Sequence, residues 1–197
     1  MSVAILLPAA GASARMRGRD KLLEKVEGQP LLRRQALRAR ATGAHVLVTT
    51  RRDRPARAEA LAGTGVRLVP VADPSEGIAA SLRAGLAALP DGIGALMVLL
   101  PDLPEIDTPD LGAVIEAHRK APARILRACA EDGTPGHPTL FPARLWPRLA
   151  ELTGDAGAAA LIRAEGFDPV PLPGARAITD LDTPEAWAEW RARSSAD

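Results

Sequence analysis

The stretch formed by residues 3–21, VAILLPAAGASARMRGRDK, constrains this chain most, because an apolar run passes directly into small residues and then into positive charge. Val3, Ile5, Leu6 and Leu7, bounded by Pro8, give the short continuous apolar signal of a strand covered on both faces. Ala9, Ala10, Gly11, Ala12 and Ser13 then add almost no side-chain bulk, so a ligand can approach the backbone and its N–H groups closely. Arg15, Arg17, Arg19 and Lys21 follow. Such a loop suits a polyphosphate, with backbone donors on the oxygens, arginine supplying forked charge and lysine a point charge. A charge run in isolation reads as a solvated basic surface; directly after a buried first strand, the binding reading takes precedence. Neither common phosphate motif fits. A dinucleotide fingerprint requires glycine where Ser13 and Met16 stand, and a Walker loop requires Gly-Lys-Ser/Thr where Gly18 is followed by Arg19, Asp20 and Lys21.

The chain has 197 residues, 47% hydrophobic and 25% charged, which is enough for one substantial core and points to a single domain over residues 1–197. A net charge of +1, from 25 basic and 24 acidic residues, argues against bulk attraction to nucleic acid or anionic membrane. No tyrosine and few other aromatics leave little material for base-stacking platforms. The lone cysteine, Cys129, forms no internal disulfide and fits a reducing cytoplasm. The first residues lack a signal-peptide pattern, and no apolar run approaches membrane-spanning length.

Along the chain, residues 30–40 form a loose helical pattern with proline in the first turn, ended by Gly43. Residues 45–50 read as the second strand, 55–62 as a short helix closed by Gly63, and 66–71 as the third strand. Asp73, Pro74, Ser75 and Glu76 have the spacing of a helix start, with the helix carried by residues 77–89. Residues 94–100, GALMVLL, are the most continuous apolar run and predict a central strand. A helix over 108–120 and a strand over 124–130 follow, and this alternation implies a largely parallel sheet. Residues 131–142, EDGTPGHPTLFP, read as a turn or hairpin inserted into the α/β order. Helices over 143–152 and 155–164, a short strand near Val170, and a last helix carrying Trp187 and Trp190 complete the pattern.

Asp102 stands at the carboxyl end of the strand over 94–100, the edge where open α/β sheets bind ligands. It is a candidate ligand for a hard cation such as Mg²⁺, which recruits one or two protein carboxylates; the competing reading is an Asp capping a turn between prolines. Asp180 and Asp182 are candidates for a second carboxylate, although Asp182 also precedes Thr183-Pro184, where it can complement a helix dipole. Ser81 lies among small residues that suit either a ligand or close helix packing. His137, within Gly136-His137-Pro138, is a candidate for substrate contact, while His45 and His118 fall in a strand and a helix tail; no histidine pair has metal-ligand spacing, and all three read first as structural. Cys129 reads as a buried, inert thiol. The chain contains no Gly-x-Ser-x-Gly element of a serine hydrolase.

Together these pieces resemble the nucleotidyltransferases of molybdenum-cofactor maturation, with sugar-phosphate nucleotidyltransferases as wider kin. The resemblance covers nearly the whole chain. It rests on residues 7–16, LPAAGASARM, followed by Lys21-Leu22-Leu23 and Gly28-Gln29-Pro30-Leu31-Leu32. Later markers are Gly77 with Ser81-Leu82 and Gly85-Leu86, Pro101-Asp102-Leu103-Pro104, Gly136-His137-Pro138, Gly154-Asp155-Ala156-Gly157, and residues 180–185, DLDTPE. The chain departs from the family pattern at Pro8, at Arg17, which looks inserted before Gly18, and at Ala186, where an acidic residue is common.

The resemblance implies a three-layer α/β/α sandwich with a mostly parallel, Rossmann-like sheet and a small β insertion. It also implies a Mg²⁺-dependent enzyme that transfers CMP from CTP to the terminal phosphate of a molybdopterin cofactor, releasing pyrophosphate. In that reading Ala9, Ala10, Gly11, Ser13, Arg15, Lys21 and Ser81 bind the nucleotide, and Arg15, Lys21 and Asp102 are catalytic. Asp102 with Asp180 or Asp182 holds the metal, and Gly136 and His137 meet the acceptor. Ala9-Ala10-Gly11 looks like the cytidylyl version of the signature, since guanylyl relatives more often carry a second glycine in place of Ala10. The alternatives are a GTP-using guanylyltransferase, transfer to a sugar or alcohol phosphate, and a nucleotide-binding regulator without turnover; Lys21 and the candidate metal carboxylates argue against the last.

Overall fold

Alternate residues of the first strand, β1 (Ser2–Pro8), serve two different cores. Val3, Ile5 and Leu7 pack with Leu32, Ala36, Leu111 and Val114, whereas Ala4 and Leu6 pack with Leu82, Leu145, Leu149 and Leu161. A continuous apolar run is what a strand covered on both faces requires, and each fully buried Leu or Ile contributes roughly 1.5–3 kcal/mol. The computed structural model describes residues 2–154 and 157–194.

A seven-stranded sheet is built from β1, β4 (His45–Thr50), β5 (Arg67–Pro70), β6 (Ile93–Val98), β7 (Leu126–Cys129), β8 (Pro135–Pro142) and β9 (Asp168–Pro171), in the order β5-β4-β1-β6-β8-β7-β9. All neighbours pair in parallel except β6 with β8 and β7 with β8. One face is covered by α1 (Leu31–Ala41) and α4 (Thr108–Lys120), the other by α3 (Gly77–Ala87), α5 (Trp146–Ala150) and α6 (Ala159–Glu165). The short α2 (Pro55–Ala60) links β4 to β5, and α7 (Pro184–Ser194) packs Trp187 with Met16, Val26, Leu31 and Leu181. The chain moves outward from β1 through β4 and β5, then returns to add β6 on the other side of β1. The strand order therefore reverses between β1 and β6, and a crevice opens at their carboxyl ends.

The structure bears out the three-layer α/β sandwich and refines several elements. The Gly- and Pro-rich segment expected to be an inserted turn or hairpin does turn back after β7, but its second arm is the eight-residue strand β8, which enters the main sheet between β6 and β7. A small two-stranded ribbon, β2 (Lys25–Val26) with β3 (Gln29–Pro30), was not expected. Asp73 caps a single short turn, Pro74–Glu76, accepting from the N–H of Ser75; α3 starts separately at Gly77, whose φ of +66° breaks the run. The helix expected over 155–164 begins within the described residues at Ala159, with Asp155 and Ala156 outside them. The 143–152 helix is a short turn followed by α5.

Gly136 on β8 lies in close backbone contact with Ala177. A Cβ added there would lie 2.0 Å from the carbonyl oxygen of Ala177. The neighbouring His137 N–H donates to that same oxygen at 2.8 Å, so β8 docks the segment that leads to Asp180. Gly136→Ala is expected to force this segment off β8 and to lower stability by at least about 1–3 kcal/mol, the usual cost of overpacking. Chemical denaturation checks this; an unchanged midpoint would show that the segment moves aside freely.

Candidate functional site

The loop that leaves β1 enters the crevice at the strand-order reversal. The N–H of Ala9 donates to the Thr49 carbonyl, which ends the ladder with β4. Among the described residues, no hydrogen bond uses the N–H of Ala10, Gly11, Ala12 or Ser13, so four consecutive donors are available. Ser13 has φ +52°, a left-handed conformation of the kind that makes concave nests of backbone amides. Ala9 and Ala10 are buried, and the methyl of Ala10 packs with Val71 and Ala80, the latter on α3. That contact makes Ala10 a spacer between the loop and α3.

Gly11, Ser13, Lys21, Ser81 and Asp102 converge on one cavity of about 210 Å³. Lys21 Nζ lies 2.5 Å from Asp102 Oδ2 and also donates to Asp182. Burial works against the charged ammonium, but the two carboxylates outweigh it and hold the Lys21 pKa above its ordinary value. Burial likewise pushes Asp182 up, but Lys21 and Arg15 more than reverse it and leave its carboxyl below the usual range. Arg15 Nη1 reaches Asp182 at 2.6 Å from the exposed rim.

Asp180, Leu181 and Asp182 are presented by one anchored strip. Leu181 is buried beside Met16 and Trp187, and its N–H donates to the Asp102 carbonyl at 3.1 Å. Asp182 is not the cap of α7: the Thr183 hydroxyl accepts from the Ala186 N–H at 3.2 Å and the Thr183 carbonyl from Trp187. Asp182 is therefore left to face Lys21 and Arg15. Asp180 has its pKa raised by burial first, then by the neighbouring charges of Asp182 and Asp102.

The donor chemistry suits a hard divalent cation. Asp102 is buried, and its Oδ1 has no hydrogen-bond partner among the described residues. Among those residues, no three acidic, histidine or cysteine side chains already converge as a ligand cage. That is compatible with an ion that takes one or two carboxylates and completes its shell with phosphate and water.

His137, but not Gly136, lines a second cavity of about 180 Å³, which shares Ile78 with the first. His137, Arg127 and Thr139 supply its polar groups, against Leu82, Val98 and Phe141. His137 Nδ1 and Thr139 Oγ1 are buried without partners among the described residues. Burial depresses the His137 pKa, and Arg127 adds to this against the opposing pull of the Val98 backbone and Asp102, which favours the uncharged ring. Gly136 itself is buried against Ala177 and serves the packing of the wall. Arg127 and Thr139 were not singled out in the sequence, where Arg127 sits in an ordinary strand pattern and Thr139 in the Gly- and Pro-rich segment read as a turn or hairpin. Cys129 is buried with its thiol pKa raised by burial, as an inert cysteine should be. Of the other two histidines, His45 is exposed and His118 is buried.

An open α/β sheet with a donor-rich loop, a lysine and strand-end carboxylates at its switch point has the architecture of a nucleotidyltransferase. The comparisons with known proteins give the family: the chain belongs to the MobA-like NTP transferase domain family, matching it over residues 4–170. It is 29% identical, over 96% of this chain and 97% of the relative, to a probable molybdenum cofactor guanylyltransferase of Natronomonas pharaonis. It is 35% identical over 128 residues to the bifunctional protein GlmU of Clavibacter sepedonicus, a match spanning 61% of this chain and only 25% of that relative. Among solved structures, Rv0371c of Mycobacterium tuberculosis H37Rv superposes with a TM-score of 0.84 at 26% identity, covering 96% of this chain and 97% of that one. A manganese complex of the same protein superposes with a TM-score of 0.78 at 24% identity, over 96% and 97% of the two chains.

The Lys21 pairing has a defined pH window. The raised Lys21 pKa stabilises the fold fully below the ordinary 10.5 and loses its effect as pH rises through the folded value; the lowered Asp182 pKa stabilises above 3.8 and loses its effect as pH falls through the folded value. Lys21→Ala leaves the acidic cluster uncompensated, at an expected cost of about 1–3 kcal/mol near neutral pH after discounting for partial exposure. The deficit should shrink only as pH falls below the ordinary 3.8 and through the lowered folded value of Asp182. Denaturant titrations across pH check this, and a deficit independent of pH would contradict it.

Proposed function

We propose that this chain is a Mg²⁺-dependent enzyme that transfers CMP from CTP to the terminal phosphate of a molybdopterin cofactor and releases pyrophosphate. The observation that carries this reading is the meeting of the open loop amides, Lys21 and Asp102 around one cavity. The loop N–H groups and Lys21 are suited to hold the triphosphate oxygens, while Arg15 supplies further positive charge at the rim. An oxygen of the acceptor phosphate attacks the α-phosphorus, and the bond from that phosphorus to the bridging oxygen of pyrophosphate breaks. No covalent intermediate on the protein is required, so positioning and charge compensation supply the catalysis. Asp102, with Asp180 or Asp182, would hold the divalent ion, which when bound neutralises charge developing on phosphate oxygens. The free Oδ1 of Asp102 and the manganese complex of Rv0371c support that assignment.

The second cavity is suited to the acceptor. Neutral His137 and the free Thr139 hydroxyl offer hydrogen bonds to a polar ring without charge, and Arg127 offers a positive group beside them. A cytoplasmic location is supported by the unpaired, buried Cys129, and among the described residues no helix is long and apolar enough to cross a membrane.

Asp102→Asn is expected to reduce turnover by about two orders of magnitude or more while leaving the fold intact, since it removes a charged ligand and keeps the shape. The check is pyrophosphate release at saturating substrates, with a thermal melt alongside; near-wild-type release by the folded variant would remove Asp102 from the metal site.

CTP preference is supported by Ala10. Its methyl, wedged against Val71 and Ala80, sets the spacing between the loop and α3 and so the room left for a base. GTP is the second reading, favoured by the guanylyltransferase of Natronomonas pharaonis. Initial rates with one acceptor should give a higher kcat/KM for CTP than for GTP, and Ala10→Gly should narrow the difference. A wild-type value for GTP equal to or above that for CTP would establish the second reading; a CTP preference unchanged in Ala10→Gly would move its origin elsewhere.

A further inference from the structure

Arg57 is the most completely buried charged side chain among the described residues, at 1% exposure. It lies on α2, and every one of its N–H donors is used on the loop after β1. Nη1 donates to the carbonyls of Ala9 at 2.6 Å and Gly11 at 2.8 Å. Nη2 donates to Ser13 Oγ and Asp20 Oδ1, each at 2.9 Å, and Nε to Asp20 Oδ2 at 2.7 Å. A guanidinium has five N–H donors, so none remains for a ligand, and Asp20 compensates its charge. Burial raises the Asp20 pKa, but Arg57, the Leu22 N–H and Arg54, which lies 3.7 Å away, more than reverse this and keep the carboxylate ionised.

The geometry of the peptide unit says what this does to the loop. In a trans peptide the C=O and the N–H of the next residue point in opposite directions. By taking the carbonyls of Ala9 and Gly11, Arg57 turns the amides of Ala10 and Ala12 away from itself, and these are among the donors with no partner among the described residues. By holding Asp20 it also fixes the residue immediately before Lys21. Lysine in place of Arg57 has three donors and no fork, so it cannot hold both ends of the loop together.

We propose that Arg57, which lines the same cavity with every N–H already used on the protein and is braced by Asp20, is a positioning residue for triphosphate binding that sets the loop amides and Lys21 where the phosphates meet them. The proposal rests on the nucleotide reading of the loop. Its test is calorimetric titration of wild type, Arg57→Lys and Asp20→Asn with CTP, GTP and the corresponding monophosphates, with a thermal melt of each variant. Folded Arg57→Lys should lose about tenfold or more in triphosphate affinity and less than about threefold in monophosphate affinity, the scale of one or two net hydrogen bonds. Asp20→Asn should move in the same direction by a smaller factor. Equal losses for both ligands, or a folded Arg57→Lys that binds triphosphate as wild type does, would overturn the proposal. If Arg57→Lys does not fold, Asp20→Asn decides, and its unchanged triphosphate affinity is the contrary result. Wild type that binds neither triphosphate would overturn the nucleotide reading itself, a failure distinct from that of Arg57.

Discussion

Three carboxylates, Asp102, Asp180 and Asp182, crowd the carboxyl edge of β1 and β6, and the site depends on how their repulsion is contained. The raised pKa of Asp180 records that repulsion together with its burial. Lys21 counters it from the loop, touching both Asp102 and Asp182, and Arg15 reaches in from the rim. The backbone holds the acids in place regardless of their charge: Leu181 is buried between the two flanking aspartates and its N–H is tied to the Asp102 carbonyl. Such an arrangement concentrates negative charge of the kind that a hard divalent ion neutralises.

The same edge joins two layers of the fold. Arg57 comes from the β4–β5 connection and ties down the loop after β1, while Gly136 on β8 docks the strip that carries Asp180 and Asp182. The cavity beside Lys21 and the one beside His137 share Ile78 on α3, so a nucleotide and an acceptor held in them would be neighbours across a single helix. Ala10 sets how close the loop comes to that helix.

Much of this was legible in the sequence, for reasons that can be named. The apolar run over residues 3–7 requires cover on both faces, and the apolar run before Asp102 predicts a strand end at the ligand-binding edge; both lie where expected. β8 was harder to read because prolines 135, 138 and 142 weigh against a central strand, yet the pairing of Leu96 with Phe141 and Met97 with Leu140 places it there. Asp182 had two local readings, cap or site residue, and only the position of the Thr183 hydroxyl separates them. Arg57 had no local signal. An arginine in a basic segment reads as exposed, and its burial follows from five acceptors that are brought together only by folding.

The central claim is that this site joins a nucleotide to a phosphate-bearing acceptor with the help of a divalent ion. Its most direct measurement is pyrophosphate release in a matrix of the four nucleoside triphosphates against molybdopterin cofactor and a panel of sugar and alcohol phosphates, with Mg²⁺ and with chelator. The account predicts release that requires both substrates and the ion, strongest with CTP and molybdopterin cofactor. Release that proceeds equally without acceptor or in chelator, or none with any pair, would contradict it.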